Sequence, residues 1–149
     1  MRTVIQRVTH ASVTIDSNVK SSIGKGLLVL VGIGDDDTQE DIDWLVRKIA
    51  AMRIFDDSEG VMNLAVTDVE GEVMVVSQFT LMASCKKGNR PSYIKAAAPG
   101  FSIPIYERFC ECMEASIGKP VATGEFGADM KVELLNDGPV TIVLDSKNR

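Results

Sequence analysis

Apolar and polar residues alternate over Val4–Val8 and again over Ala11–Asp16, the period-two pattern of two short strands. Gly24-Lys25-Gly26 supplies a turn, and Leu27–Ile33 is an unbroken apolar run of strand length, which predicts a buried strand. A helix is predicted from about Gln39 to Arg53, because Ile42, Leu45, Val46, Ile49 and Met52 share one face at 3.6 spacing. The acidic run Asp35–Glu40 fits the start of that helix. Asp37 and Glu40 have capping-box spacing, with Asp in place of Ser or Thr, and carboxylates suit the positive end of a helix. As a calcium loop the run lacks the alternating ligands, the central Gly and the closing Glu.

Asp56–Gly60 reads as a loop and the Val-rich Glu72–Phe79 as a strand, followed by a polar, glycine-containing loop over Ser84–Ser92. Ala96–Gly100 breaks the chain. A second helix is expected to start near Ser102 with Pro104 in its first turn, to carry an apolar stripe of Ile105, Phe109, Cys112 and Met113, and to stop at Gly118 and Pro120. Two last strands, Met130–Leu135 and Val140–Leu144, are expected to be joined by Asn136-Asp137-Gly138-Pro139. Strands in runs, interrupted by two helices, predict an α+β fold with a mostly antiparallel, barrel-like sheet. The 149 residues suit a single domain, 1–149, large enough to bury a core without a disulfide or metal staple.

Composition adds little beyond this, with 45% apolar and 25% charged residues. No apolar run approaches the length of a membrane span, and the N-terminal Met1–Arg7 lacks the apolar core and cleavage site of a signal peptide. Three cysteines, Cys85, Cys110 and Cys112, do not form a disulfide framework, so a reducing, cytoplasmic compartment is expected. The net charge of -5 argues against a broad nucleic-acid footprint. Any such contact must be local, and the candidate is Lys86, Lys87 and Arg90, with Lys95 following; a solvated surface loop is the alternative.

The familiar catalytic kits are missing. The one histidine, His10, lies between the first two predicted strands, where a surface turn residue is the simpler reading, and no H-E-x-x-H, C-x-x-C or phosphate-loop spacing occurs. Cys110 and Cys112, two apart on a helix, point to different sides and cannot chelate together. No metal and no cofactor is therefore expected.

Two segments remain. Ser77-Gln78-Phe79-Thr80-Leu81 ends a greasy strand in polar groups: either an edge strand entering a loop, or a strand end presenting backbone N–H groups, an amide and hydroxyls to a ligand. Thr80 as a nucleophile has no base near it in sequence. Asn136-Asp137-Gly138-Pro139-Val140-Thr141 is either a tight turn or, with a cis Gly-Pro bond, a rigid pair of carbonyl acceptors suited to an ammonium group.

Nearly the whole chain resembles the D-aminoacyl-tRNA deacylases. The likeness runs through Arg2–Val8, Ala11-Ser12-Val13, Gly26–Leu30, Arg53-Ile54-Phe55, Met62-Asn63-Leu64, Ser77–Leu81, Lys87–Ser92, Phe126–Met130 and Asn136–Thr141. It implies a homodimer with two composite sites at its interface, acting on the 3′ end of aminoacyl-tRNA, with no membrane or DNA partner. Ser77, Gln78, Phe79 and Thr80 would line the pocket for the terminal adenosine and the scissile ester, with backbone N–H groups near Phe79 and Thr80 as oxyanion donors. Gly138-Pro139, as a cis dipeptide entering the partner's pocket, would hold the amino group of a D-residue and exclude L side chains by collision, letting glycine through. Arg7 would brace that loop, Met130 would lie near the pocket, and Lys86, Lys87 and Arg90 would contact tRNA. The vicinal 2′-hydroxyl of the terminal ribose would help to activate the water, so the missing base is expected. Met82 departs from an aromatic residue often seen there, and Asn89 from a position that is often basic. The alternatives are a related editing enzyme, similar to the archaeal threonyl-tRNA synthetase editing domain or to the relative that tolerates a trans Gly-Pro, and a non-catalytic homo-oligomeric binding module.

Overall fold

The computed structural model describes residues Met1–Arg149. Its hub is a single long strand, β1 (Arg2–Ile15), in place of the two short strands expected. The alternation reverses phase between Val8 and Ala11: Ile5 packs toward the helices, whereas Val8, Ala11 and Val13 all enter a second cluster. The ladder register against the last strand shifts between Val8 and His10, and this irregularity carries the chain from one phase to the other. To a period-two reading, a bulge of this kind looks like a break.

Residues Arg2–Val8 of β1 pair antiparallel with β3 (Gly26–Gly32), and Ala11–Ile15 pair with β2 (Asn18–Ile23), a strand the sequence pattern did not disclose. β3 continues in parallel to β6 (Glu72–Ser77), and β6 in parallel to the short β7 (Ala122–Thr123). These parallel pairs need crossovers, and the two helices supply them: α1 (Gln39–Ala51) lies between β3 and β6, and α2 (Pro99–Ile117) between β6 and β7. Ser21 Oγ donates to Thr123 O at 2.6 Å, bringing β7 back against β2 so that the sheet nearly closes. The α+β, barrel-like sheet with two main helices is thus observed, its antiparallel β1 ladders joined by two parallel pairings.

Two cores follow from the closure. Leu28, Met74 and Val76 point into the barrel with Val8, Ala11 and Val13, while Leu27, Val29, Val73 and Val75 face the helices. β3 and β6 are covered on both sides, which is why their sequences are apolar without alternation. A small hairpin, β4 (Phe55–Asp56) with β5 (Met62–Leu64), carries the loop around Asp57.

Both helices differ in detail from expectation. The α1 cap is Thr38 with Asp41, whose Oδ2 accepts the Thr38 N–H at 2.8 Å. Asp37 turns inward instead, accepting from Gly34 N at 2.7 Å and pairing with the Met1 amino group, and α1 ends at Ala51, short of Arg53. α2 begins at Pro99, so Pro104 falls in its second turn, and its αL cap is Gly118 as expected. Its buried stripe is Tyr106, Phe109, Cys110, Met113 and Ile117, rotated from the one expected because the Tyr106 hydroxyl finds Val75 O at 2.7 Å and is buried without loss.

The last strand, β8 (Lys131–Asp145), is likewise continuous where two strands and a turn were expected. Both halves pair with β1 in the same antiparallel sense, so Asn136–Pro139 is an excursion within one strand and not a hairpin.

All three thiols are free, and burial, with Glu114, Glu107 and Glu111 adding to it, pushes the Cys110 thiol up to about 12 against a hydrogen bond with Tyr106. Native-state alkylation near pH 8 should therefore modify exposed Cys85 and leave Cys110 untouched until denaturant is added, as mass mapping of the labelled peptides would show. Equal labelling of the two would contradict this packing of α2.

Candidate active site

β6 runs between β3 and β7 and leaves the sheet at Ser77–Gln78. Gln78 N donates to Val31 O at 2.7 Å, then the chain folds into a 3-10 turn, Phe79–Met82, where the sequence pattern had continued the strand. Arg2 Nη1 holds the turn through Leu81 O at 2.7 Å. Gly32 allows the close approach: a Cβ there would lie 2.9 Å from Leu81 Cβ and 3.1 Å from Gln78 O. Within the turn the first acceptors go to Leu81 N and Ala83 N, so the Phe79 and Thr80 N–H groups have no partner inside it.

This strand end opens on a cavity of about 290 Å³, with Ser77, Gln78 and Phe79 on one wall and Phe126 to Met130 on the other. Four sequence-predicted residues therefore gather there: Ser77, Gln78, Phe79 and Met130. Thr80 stands beside it, its hydroxyl accepting a hydrogen bond from Gln78 Nε2. The cavity has one titratable wall residue, Asp129, which is exposed and paired with Lys131 at 3.2 Å. His10 is exposed on β1 opposite Leu135. A roomier cleft, about 770 Å³, lies between α1 and α2 and the segment after β5, lined by small side chains such as Ala50, Ala65 and Ala115 with charged residues at Asp43, Arg47, Arg53 and Asp68. The smaller cavity, with a strand end, the Ser77 hydroxyl and the Gln78 amide on its wall, has the more chemistry to offer.

The second constellation is the excursion in β8. Gln6 pairs with Thr141 and Val8 with Asn136, so only Arg7 on β1 faces the four residues Asp137–Val140. Arg7 is 8% exposed and replaces the missing ladder bonds: Nε donates to Asp137 O at 3.0 Å and Nη1 to Ile54 O at 2.6 Å, with the Asp56 and Asp137 carboxylates each 3.6 Å away. Asn136 clamps the base of the excursion, its Oδ1 accepting from Val140 N at 2.9 Å and its Nδ2 donating to Thr141 Oγ1 at 3.0 Å. Its role was missed in the sequence, where the Asn-x-Gly-Pro-Val-Thr spacing was the only signal. Gly138 has φ of 130°, and a Cβ on it would meet Arg7 Nη2 at 3.0 Å and Val140 Cγ2 at 2.9 Å. The Gly138–Pro139 peptide is cis, and both residues are exposed.

Within one chain these constellations stay apart. Arg7, Gly138 and Pro139 do not line the cavity, and Met130 and Asp137 are separated by roughly 20 Å of β8 at about 3.3 Å per residue. The basic residues lie elsewhere again. Lys86, Lys87 and Arg90 sit on an exposed loop whose stem is closed by Ser84 and Ser92, which exchange N–H···O bonds of 2.9 and 2.8 Å.

A family model described as D-Tyr-tRNA(Tyr) deacylase matches residues 4–145. The chain belongs to that family. A D-aminoacyl-tRNA deacylase of Parabacteroides distasonis is 68% identical over 149 residues, covering 100% of this chain and 99% of the relative. One of Bacteroides thetaiotaomicron is 65% identical with the same coverage. Among solved structures, a c-Myc DNA unwinding element binding protein is 41% identical, with a TM-score of 0.93 over 97% of this chain and 98% of that one. A structure described as a "probable eukaryotic D-amino acid tRNA deacylase" is 18% identical with a TM-score of 0.82 over 96% and 97% of the two chains, a likeness of fold alone. Membership of this family makes the chain a hydrolase, a D-aminoacyl-tRNA deacylase.

The brace makes a stability prediction. Arg7→Ala leaves the buried Ile54 carbonyl and the part-buried Asp137 carbonyl unpaired and is expected to cost about 2–4 kcal/mol in urea unfolding, whereas Asn136→Ala, at the half-buried base of the excursion, should cost about 1 kcal/mol. An Arg7→Ala protein no less stable than Asn136→Ala would show that the guanidinium does not hold the excursion.

Proposed function

We propose that the chain acts as a cytoplasmic homodimer that hydrolyses the ester of D-aminoacyl-tRNA, and of glycyl-tRNA, while sparing L-aminoacyl-tRNA. The observation that carries this reading is a strand end, followed by a 3-10 turn that offers the Phe79 and Thr80 N–H groups no acceptor of its own, opening on a cavity that has no histidine and no buried carboxylate. Such a site suits a labile ester better than an amide. The terminal adenosine and the ester lie against Ser77, Gln78, Phe79 and Thr80, and the Phe79 and Thr80 N–H groups stabilise the oxyanion that forms as water adds to the ester carbonyl. The ribose 2′-hydroxyl beside the ester helps to take the proton of that water, the acyl C–O bond breaks, and the 3′-oxygen leaves as a hydroxyl. Positioning and oxyanion stabilisation then carry most of the rate.

Chiral selection falls to Gly138 and Pro139 of the second copy. Held by Arg7 and Asn136, their main chain meets the α-amino group, and an L side chain collides with it while glycine has nothing to collide. β8 supports the dimer: its outer edge has no partner strand, and Leu135 and Val143, 54% and 62% exposed, flank the excursion with apolar surface. The main-chain brace also favours this reading over a related editing enzyme with a trans Gly-Pro. A non-catalytic nucleic-acid-binding role is the second reading, favoured by the DNA-binding description of the 41%-identical structure. It requires tight binding of charged tRNA or DNA without turnover.

Deacylation of D-Tyr-, Gly- and L-Tyr-tRNA by the purified protein should release the first two amino acids and largely spare the third; equal release from the two tyrosyl enantiomers would sink the chiral screen. Thr80→Ala should keep activity within about tenfold of wild type, because loss of a true nucleophile costs many orders of magnitude. A full loss with the fold intact would restore Thr80 as the nucleophile. In light scattering the active species should be a dimer, and a fully active monomer would contradict the shared site.

A further inference from the structure

The chain carries 21 Asp and Glu, yet none falls between Glu72 and Glu107. That acid-free stretch includes four cations, Lys86, Lys87, Arg90 and Lys95, none of which makes an ion pair, although six other Lys and Arg residues do. All four line one hollow of about 290 Å³ together with the stem hydroxyls of Ser84 and Ser92. A cluster of cations left unneutralised on a protein of net charge -5 marks a local anion surface.

Between this hollow and the cavity stands an exposed aromatic pair. Phe79, 55% exposed, forms part of the cavity wall, and Tyr93, 40% exposed, follows the loop stem at Ser92. Their rings meet edge-on, with centroids 5.1 Å apart and planes at 73°, and Tyr93 keeps part of its surface open to solvent. Ile94, 83% exposed, extends the apolar strip toward Lys95. An aromatic face alternating with cations is the arrangement that single-stranded nucleic acid recognises: bases stack while phosphates meet the charges.

We propose that Tyr93 and the loop Ser84–Lys95 form a track for the single-stranded nucleotides just 5′ of the terminal adenosine. Tyr93 stacks on one of their bases, and Lys86, Lys87, Arg90 and Lys95 hold the phosphates. The proposal rests on the reading of the Ser77–Thr80 cavity as the terminal-nucleotide site. It makes Tyr93 a residue that positions the substrate and leaves the ester chemistry alone.

The test compares D-Tyr-tRNA with D-tyrosyl-adenosine, which carries the ester but lacks the preceding nucleotides. Tyr93→Ala should raise KM for D-Tyr-tRNA about tenfold with kcat unchanged, since one base stack is worth roughly that much. Hydrolysis of D-tyrosyl-adenosine should not change, and Tyr93→Phe should restore the tRNA KM. Neutralising Lys86, Lys87 and Arg90 together should flatten the log–log salt dependence of binding by about 2, near 0.7 per phosphate contact on a single strand. A Tyr93→Ala protein equally impaired on both substrates would assign Tyr93 to support of Phe79 and overturn the track, as would one impaired on neither.

Binding of uncharged hairpin RNAs separates the two readings. If D-tyrosyl-adenosine is hydrolysed but a single-stranded 3′ overhang binds no better than a blunt end, the track fails and the deacylase reading stands. If nothing is hydrolysed but the overhang binds and Tyr93→Ala weakens it, the track stands and the deacylase reading fails. A DNA overhang bound as tightly as RNA would overturn the assignment to the 3′ end of tRNA.

Discussion

One buried guanidinium sets the geometry of the C-terminal half. Arg7 lies in the middle of β1, where a ladder residue would ordinarily exchange main-chain bonds with its neighbour. Its side chain makes those bonds instead, to Asp137 O and Ile54 O, and so joins three elements: β1, the β4 hairpin and the excursion in β8. A buried arginine is costly unless its donors are used, and this one is satisfied by carbonyls with two carboxylates nearby. β8 can therefore leave the sheet for four residues and resume its antiparallel pairing with β1 in a shifted register, so the protein presents a piece of stiff main chain on its surface without losing the strand that carries it. Gly138 completes the arrangement, because a side chain there would strike the same guanidinium.

The other half of the proposed site is also main chain. The 3-10 turn after β6 is fixed from three directions: Val31 O below, Arg2 through Leu81 O, and the absent side chain of Gly32 behind. Electrostatic stabilisation of a developing charge requires donors fixed in this way, which is what the proposed role of the turn relies on. A fold that relies on backbone groups needs no perturbed side chain in its cavity. Its carboxylates are kept out of the stretch between Glu72 and Glu107, where one cavity wall and the unpaired cations lie, and the opposite wall carries only the exposed Asp129, paired with Lys131.

These two halves explain why fold and site were unequally legible. Helix periodicity marked α1 and α2 because one face of each meets the sheet, and the apolar runs marked β3 and β6 because both faces are covered. The errors fell where a local pattern is reset by a distant contact. Asp37 left the helix cap for the Met1 amino group; the α2 stripe rotated to seat Tyr106 on Val75 O; and the phase reversal near His10 looked like a strand break.

The sequence by itself determined the two helices, the apolar strands β3 and β6, the α+β class and, through the Ser77–Leu81 and Asn136–Thr141 motifs, the family. It did so because burial and motif spacing are written locally, residue by residue. Only the tertiary structure decided that Asn136–Pro139 is an excursion and not a turn, that the parallel β3–β6–β7 pairing nearly closes a barrel, and that Met130 joins Ser77–Phe79 while Gly138 lies away from them. Those facts depend on which strand pairs with which and in what register. Pairing is set by contacts between residues far apart in the chain, such as Arg7 with Asp137, and no local pattern encodes them.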